Sequence, residues 1–174
     1  MAVFAASFTV NQSADCTTLT LTDTSNYTDN TSSVTLSTFE TRQFIISNSD
    51  GAVISTINLT GGALVATYAI TKDAWLSVEL RLTDNTGPDF TKTNSVLSTC
   101  FLELCYSELV AKTDCDCSSS CGGSCGCTSV ENDKVRLLEH IKAAEIFSDY
   151  SNPVLAQKQL DAGEILCEAN KNND

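Results

Sequence analysis

Close to Thr93 the hydrophobic pattern changes period. From Phe4 to about Leu82 apolar residues recur at every second position, and from Val96 onward they recur at every third and fourth. A period of two belongs to a strand with one wet face, and a three-four spacing belongs to an amphipathic helix. The predicted fold class is therefore α+β, with a β domain over 1–93 and a helical subdomain over 94–174. At 174 residues the chain has room for one ordinary domain with a small appendix, and a second full-sized domain does not fit.

Leu76, Val78, Leu80 and Leu82 give the clearest alternation, facing a core while Ser77, Glu79 and Arg81 face water. Phe4, Ala6, Phe8 and Val10 alternate in the same way, as do Leu19 and Leu21 between threonines, and Met1 to Phe8, which has no Lys or Arg ahead of its short apolar run, is expected to open the first strand rather than serve as a leader. Further strands are expected over Phe39 to Ile46, Val53 to Leu59 and Leu64 to Ile70. Turn residues separate them at Asn48-Ser49-Asp50-Gly51, Gly61-Gly62 and Asp84-Asn85-Thr86-Gly87-Pro88. Short strands with a turn about every ten residues predict an antiparallel β-sandwich of immunoglobulin-like architecture.

In the C-terminal part, Val96, Leu97, Cys100, Phe101, Leu104, Cys105 and Leu109 form one helical stripe. An αα-hairpin is expected over 128–170. Its first helix starts at a capping box of Thr128 and Glu131 and carries Leu137, Ile141 and Ala144. Its second starts at Asn152-Pro153, an N-cap followed by proline, and carries Val154, Leu155, Leu160, Ile165 and Leu166. Helices this short and this modestly apolar bury little by themselves, so they are expected to pack on the sandwich or on another chain.

Acidic residues outnumber basic ones 22 to 10, for a net charge of −12. Both parts share the excess, with 9 acidic against 4 basic residues through Thr93 and 13 against 6 after it. Such a field repels a phosphate backbone, so nucleic-acid binding is not expected. No apolar run reaches membrane-spanning length, so no membrane contact is expected either.

The single histidine, His140, excludes any site that needs two, and is expected to be a structural residue of its helix. Carboxylates are plentiful but none stands in a motif, and no phosphate-cradling Gly-Lys-Ser element occurs. The sequons at Asn11, Asn26, Asn30 and Asn58 are read as chance matches in a chain rich in Asn, Ser and Thr. The expectation is a protein that is not an enzyme.

The one segment with site-like chemistry is a cysteine-rich loop over 114–127, where Cys115, Cys117, Cys121, Cys125 and Cys127 stand among small residues. Four thiolates at about 2.3 Å would close a tetrahedral structural zinc site, or the cluster would share an iron-sulfur centre. Disulfides within the loop, or free thiols, fit the same spacing. Each ordered form fixes the connection between the first two helices. Cys16, Cys100, Cys105 and Cys167 are expected to be small buried hydrophobes, leaving most of the protein without disulfides.

Three runs in order carry a resemblance: Phe8-Thr9-Val10-Asn11-Gln12-Ser13-Ala14-Asp15, then Thr18-Leu19-Thr20-Leu21-Thr22-Asp23-Thr24-Ser25-Asn26-Tyr27, then Asp73-Ala74-Trp75-Leu76-Ser77-Val78-Glu79-Leu80. With the helical part that contains Ala143-Ala144-Glu145-Ile146-Phe147 and Ala156-Gln157, this order resembles structural proteins of crAss-like and related podovirus-type bacteriophages. The resemblance implies a noncatalytic virion protein assembled in the host cytoplasm. It would form a homo-oligomeric ring, a dodecamer, in the tail or neck and would touch other portal, neck and tail proteins. An acidic lumen would then let DNA pass without adhering. A host- or glycan-binding adhesion module and a capsid decoration protein are the alternatives, and a metalloenzyme built on the cysteine loop is a third.

Overall fold

In a computed structural model, which describes residues 4–26, 38–84, 89–113 and 127–171, the chain is α+β, with two antiparallel sheets followed by helices. The strands are β1 (Phe8–Gln12), β2 (Thr18–Asp23), β3 (Phe39–Ser47), β4 (Val53–Asn58), β5 (Val65–Ala69), β6 (Trp75–Asp84) and β7 (Phe90–Leu97). The helices are α1 (Cys100–Thr113), α2 (Cys127–Asp149) and α3 (Pro153–Lys171). Two compact units divide the chain. One holds residues 1–72 and 76–96, and the other holds Asp73–Trp75 together with 97–174.

In the first unit the sheet orders are β1-β2-β5 and β4-β3-β6-β7. Second beside fifth strand and sixth between third and seventh are the neighbours of an immunoglobulin-like sandwich. Alternation puts Leu19, Leu21, Phe44, Ile46, Val78, Leu80 and Leu82 in the core with no exposed surface. Aromatic rings tie the sheets together, Phe8 of β1 lying edge-on to Phe44 of β3 with centroids 5.5 Å apart. Phe4 meets Phe90 at 4.8 Å and Phe39 at 5.4 Å. The β3–β4 turn forms at Asn48 to Ala52: Asn48 Oδ1 accepts the amides of Asp50 and Ala52, and Gly51 takes a φ of +81°. Strand β7 runs through Leu97, so the strand period ends later than the sequence suggests and Val96 and Leu97 are not helical.

The second unit begins with an unusual cap. Asp73, fully buried, accepts hydrogen bonds from Ser98 Oγ at 2.8 Å and from the amides of Phe101 and Leu102 at 3.1 and 2.7 Å. Those amides are orphan donors of the first turn of α1, and a carboxylate placed there also opposes the helix dipole. The buried face of α1 is consequently Leu102, Cys105 and Leu109, while Leu104, which the sequence places in the stripe, is exposed.

The three helices pack on one another. They close a core of their own from Leu102, Cys105, Leu109, Leu137, Ile141, Ala144, Leu160 and Cys167. Two features compensate for the scarcity of large apolar residues. Small residues let the helices approach: a Cβ on Gly163 of α3 would lie 2.8 Å from Leu102 Cδ1. A disulfide then joins Cys105 of α1 to Cys167 of α3 across 62 residues. Cys16 and Cys100 are disulfide-bonded as well. All four cysteines outside the loop are thus cross-linked rather than free hydrophobes, because each lies where a bridge can form and bonded sulfur fills the same apolar volume.

Helices α2 and α3 run antiparallel, joined by Tyr150, Ser151 and Asn152. Asn152 caps α3, its Oδ1 accepting the amide of Leu155 and its carbonyl that of Ala156. The partners His140–Gln159 and Asn170–Asp133 mark the pairing along the two helices. Helix α2 starts at Cys127, so Thr128 lies inside the helix and not before it.

Two outcomes follow for the helical unit. Replacing Cys105 and Cys167 together by alanine removes a cross-link closing a long loop and should lower unfolding free energy by about 4 kcal/mol on the chain-entropy account, read as a shift in urea midpoint. Asp73→Ala strips the cap from α1 and leaves buried donors unpaired, so urea unfolding should show a loss of about 2–3 kcal/mol.

Candidate functional site

An open flank of the sandwich is the surface most ready to bind. Strands β4 and β5 are edges of their respective sheets, and the crossover Leu59–Leu64 that joins them is too short to leave one side of the sandwich. On the opposite side β1 lies near β7, where Asn94 Nδ2 donates to the Phe8 carbonyl at 3.5 Å. The β4–β5 flank therefore offers two free edges, among the described residues, and a connecting loop.

The crossover is held from below by one cation. Arg42 on β3 is buried, and a register shift between Phe39 and Thr41 brings Phe39, Arg42 and Phe44 all to the inner side while Glu40 turns out. Its guanidinium donates to the carbonyls of Gly61 at 2.6 Å and Ala63 at 3.0 Å, with Leu59 at the margin at 3.5 Å. The Arg42 carbonyl accepts the Leu59 amide at 2.7 Å. Asp23 of β2, also buried, stands 3.9 Å from Arg42 Nη1 and accepts the Ser25 amide through Oδ1. Buried charge is thus neutralised and its donors are spent on main-chain oxygen. Gly61 takes a φ of +58°, which lets the loop turn over the guanidinium.

Several exposed side chains of the two edges are apolar: Val53 is 61% exposed and Ile54 46% where β4 begins, and Val65 is 53% exposed where β5 begins, with Leu64 just before it, while Thr56, Asn58 and Thr67 are exposed polar residues. From Gly51 through Thr71 the sequence contains no Asp, Glu, Lys, Arg or His, although the chain carries a net charge of −12. Natural edge strands are blunted by lysine, proline, an inward charge or a bulge, and β4, with the sequence VISTIN, lacks the first three but carries a register shift against Ile46 and Ser47 of β3 that leaves Ile54 without a partner across the ladder. Strand β7 at the other end of the same sheet carries Lys92. The uncharged run was available in the sequence as the signal for this surface, but its exposure follows only from the sheet order.

A cleft of about 770 Å³ lies beside the crossover, lined in part by Phe39, Glu40, Arg42 and Asn58. Because the Arg42 guanidinium is committed to carbonyls and to Asp23, the cleft offers no spare cation among the described residues for an anionic ligand. The other buried carboxylate, Asp73, is likewise committed to the start of α1. Asp15, exposed in the β1–β2 turn, has its pKa lowered by hydrogen bonds from Ser13 and from the amide and hydroxyl of Thr17. It organises that turn, where Cys16 takes a φ of +63°.

Of the sequence-predicted site residues, Cys115, Cys117, Cys121 and Cys125 lie outside the described residues. Cys127 is the first residue of α2, and its side chain also lies outside them. Among the described residues no group of three or more His, Cys, Asp and Glu stands together as metal ligands do. His140 Nδ1 lies 2.8 Å from Gln159 Oε1 on the neighbouring helix.

No protein-family model matches the chain, and no curated protein matches it. The PKD1 domain of the Vibrio cholerae metalloprotease PrtV is similar in structure at 18% identity and a TM-score of 0.35, over 55% of this chain and 96% of that one. At that score the likeness bears on neither fold nor function.

If Arg42 supports the flank as described, Arg42→Met should cost about 3–5 kcal/mol in urea unfolding, since Asp23 and the crossover carbonyls are left buried without a partner. Arg42→Lys should lose less but not be silent, because a point charge cannot reach three carbonyls in a fixed fork.

Proposed function

We propose that this protein is a noncatalytic structural subunit of a tailed bacteriophage particle, part of a ring in the neck or tail that joins portal and tail components around the DNA channel. The observation that supports the proposal is the union of a frame whose buried ionisable groups are all engaged with one uncharged, open sheet flank. Among the described residues the buried ionisable groups, Asp23, Arg42 and Asp73, are spent on holding loops and helix ends. Nothing in that arrangement prepares a nucleophile, and the free bonding capacity lies on a surface suited to contact with protein. The order of sequence features resembles phage structural proteins and supports the same reading.

A ring subunit needs an adhesive face for its neighbour and a surface elsewhere that does not stick. The acidic excess supplies the second property, and around a channel it would repel DNA. The disulfides also fit a particle released from its host, since cytosolic thiols stay reduced while the exterior is oxidising. The helical unit, closed around its own core, would serve as a separate rigid contact for the adjoining layer.

Cryo-EM of purified virions tests the assignment. The expected result is density for this chain in a closed ring at the portal-tail junction. Density on the capsid lattice, as for a decoration protein, or at fibre tips, as for an adhesion module, would replace the proposal, and absence from virions would end it.

A further inference from the structure

We infer that the Cys105–Cys167 bridge is a redox latch: with the thiols reduced, the second half of α1 and the last turn of α3 open locally, and oxidation closes them onto the α2–α3 hairpin. The inference rests on the proposed function only for the occasion of oxidation, the passage from a reducing host cytoplasm to the oxidising exterior.

The position of the bridge carries the inference. The start of α1 has its own fastening, since Asp73 accepts the amides of Phe101 and Leu102, and Leu102 packs closely on Gly163 of α3. From Tyr106 through Ala111, by contrast, Leu109 is the one buried side chain, with Tyr106 partly buried beside the core. On α3 no residue from Glu168 through Lys171 is buried, and Asn170, donating to Asp133 of α2 at 3.3 Å, is the polar tie there. The hairpin between these ends is fastened without sulfur, by Leu137, Ile141, Ala144 and Leu160, by the Asn152 cap and by His140 against Gln159. The bridge thus joins one weakly held end to another. Segments with few buried contacts open first, so its loss frees both ends and leaves the hairpin closed.

Packing and oxidation favour each other. Closed helices hold the two thiols together and raise their effective concentration for bond formation, and by linkage the bond favours the closed helices by the same factor. The oxidant is a small-molecule disulfide such as oxidised glutathione. One protein thiolate attacks it, giving a mixed disulfide and releasing one small thiolate; the second protein thiolate then attacks the protein sulfur of that mixed disulfide, and the other small thiolate leaves. The two protons lost from the protein thiols go to the two released thiolates, and the two electrons reduce the small disulfide. Once formed, the bridge is screened, because Cys105 and Cys167 are each 6% exposed and a reducing thiol reaches sulfur only when the helices part. The latch therefore closes readily from the open form and reopens slowly.

The test uses the full chain. When thiols are alkylated at lysis of a reducing cytoplasm, mass spectrometry should find both Cys105 and Cys167 alkylated, and oxidised glutathione added before alkylation should join them in one cross-linked peptide pair. Hydrogen exchange at 106–111 and 168–171 should slow roughly tenfold or more on oxidation, while 137–144 is unchanged. The double variant Cys105→Ala/Cys167→Ala, which keeps every other cysteine, should exchange at the reduced rate in both segments with or without oxidised glutathione. Equal protection in the two redox states, a bridge already present in the cytoplasm, or a double variant that still responds in those segments overturns the inference. Loss of protection across 137–144 in reduced wild type does the same, since the bridge is then a requirement for folding. Because reduced wild type is measured directly, a variant that fails to fold does not leave the question open. Failure here is separable from failure of the proposed function: a virion subunit whose Cys105 and Cys167 alkylate without prior reduction refutes the latch and spares the role. A chain that latches yet is missing from virions does the reverse.

Discussion

Arg42 and its partners govern the shape of the sandwich on the side where it is open. A guanidinium taken out of water is costly unless each donor finds oxygen and the charge finds a counter-ion. Here Gly61 and Ala63 supply the carbonyls and Asp23 supplies the charge. Because those carbonyls belong to the crossover, satisfying the arginine also fixes the path from one sheet to the other. The crossover in turn sets where β5 begins: the amide of Asp23 donates to Leu64 at 2.8 Å, immediately before the β2–β5 ladder. One buried ion therefore links β2 and β3 to the crossover that joins β4 and β5.

The helical unit solves the corresponding problem with other chemistry. Its large apolar residues are few, and Leu104, Val135, Ile146, Val154 and Ile165 are spent on the surface. Close approach at Gly163 and Ala144 lets Leu102, Leu137 and Leu160 meet, so a small number of side chains fills a complete core. The Cys105–Cys167 bridge restricts the unfolded chain, and Asp73 fixes the first turn of α1. Each device acts at a helix end or seam.

These devices also explain what the sequence could and could not disclose. Leu76 to Leu82 is legible because four apolar residues alternate with polar ones and nothing interrupts the pleat, and in α2 Leu137, Ile141 and Ala144 keep a simple helical spacing. The buried role of Arg42 is hidden because a bulge shifts the period beside it, and no composition rule places an arginine inward. In α1 the stripe is rotated from the one read from hydrophobicity, since Asp73 dictates where the helix starts and Cys105 where it is pinned. In α3 the buried positions are Ala156, Leu160, Gly163 and Cys167, of which only Leu160 looks like core. A hydrophobic pattern records size and polarity, whereas these faces are chosen by a cap, a cross-link and the need for small side chains. Strand β7 is missed for a related reason: its exposed threonines and Lys92 show little alternation, and its place follows from β6 beside it.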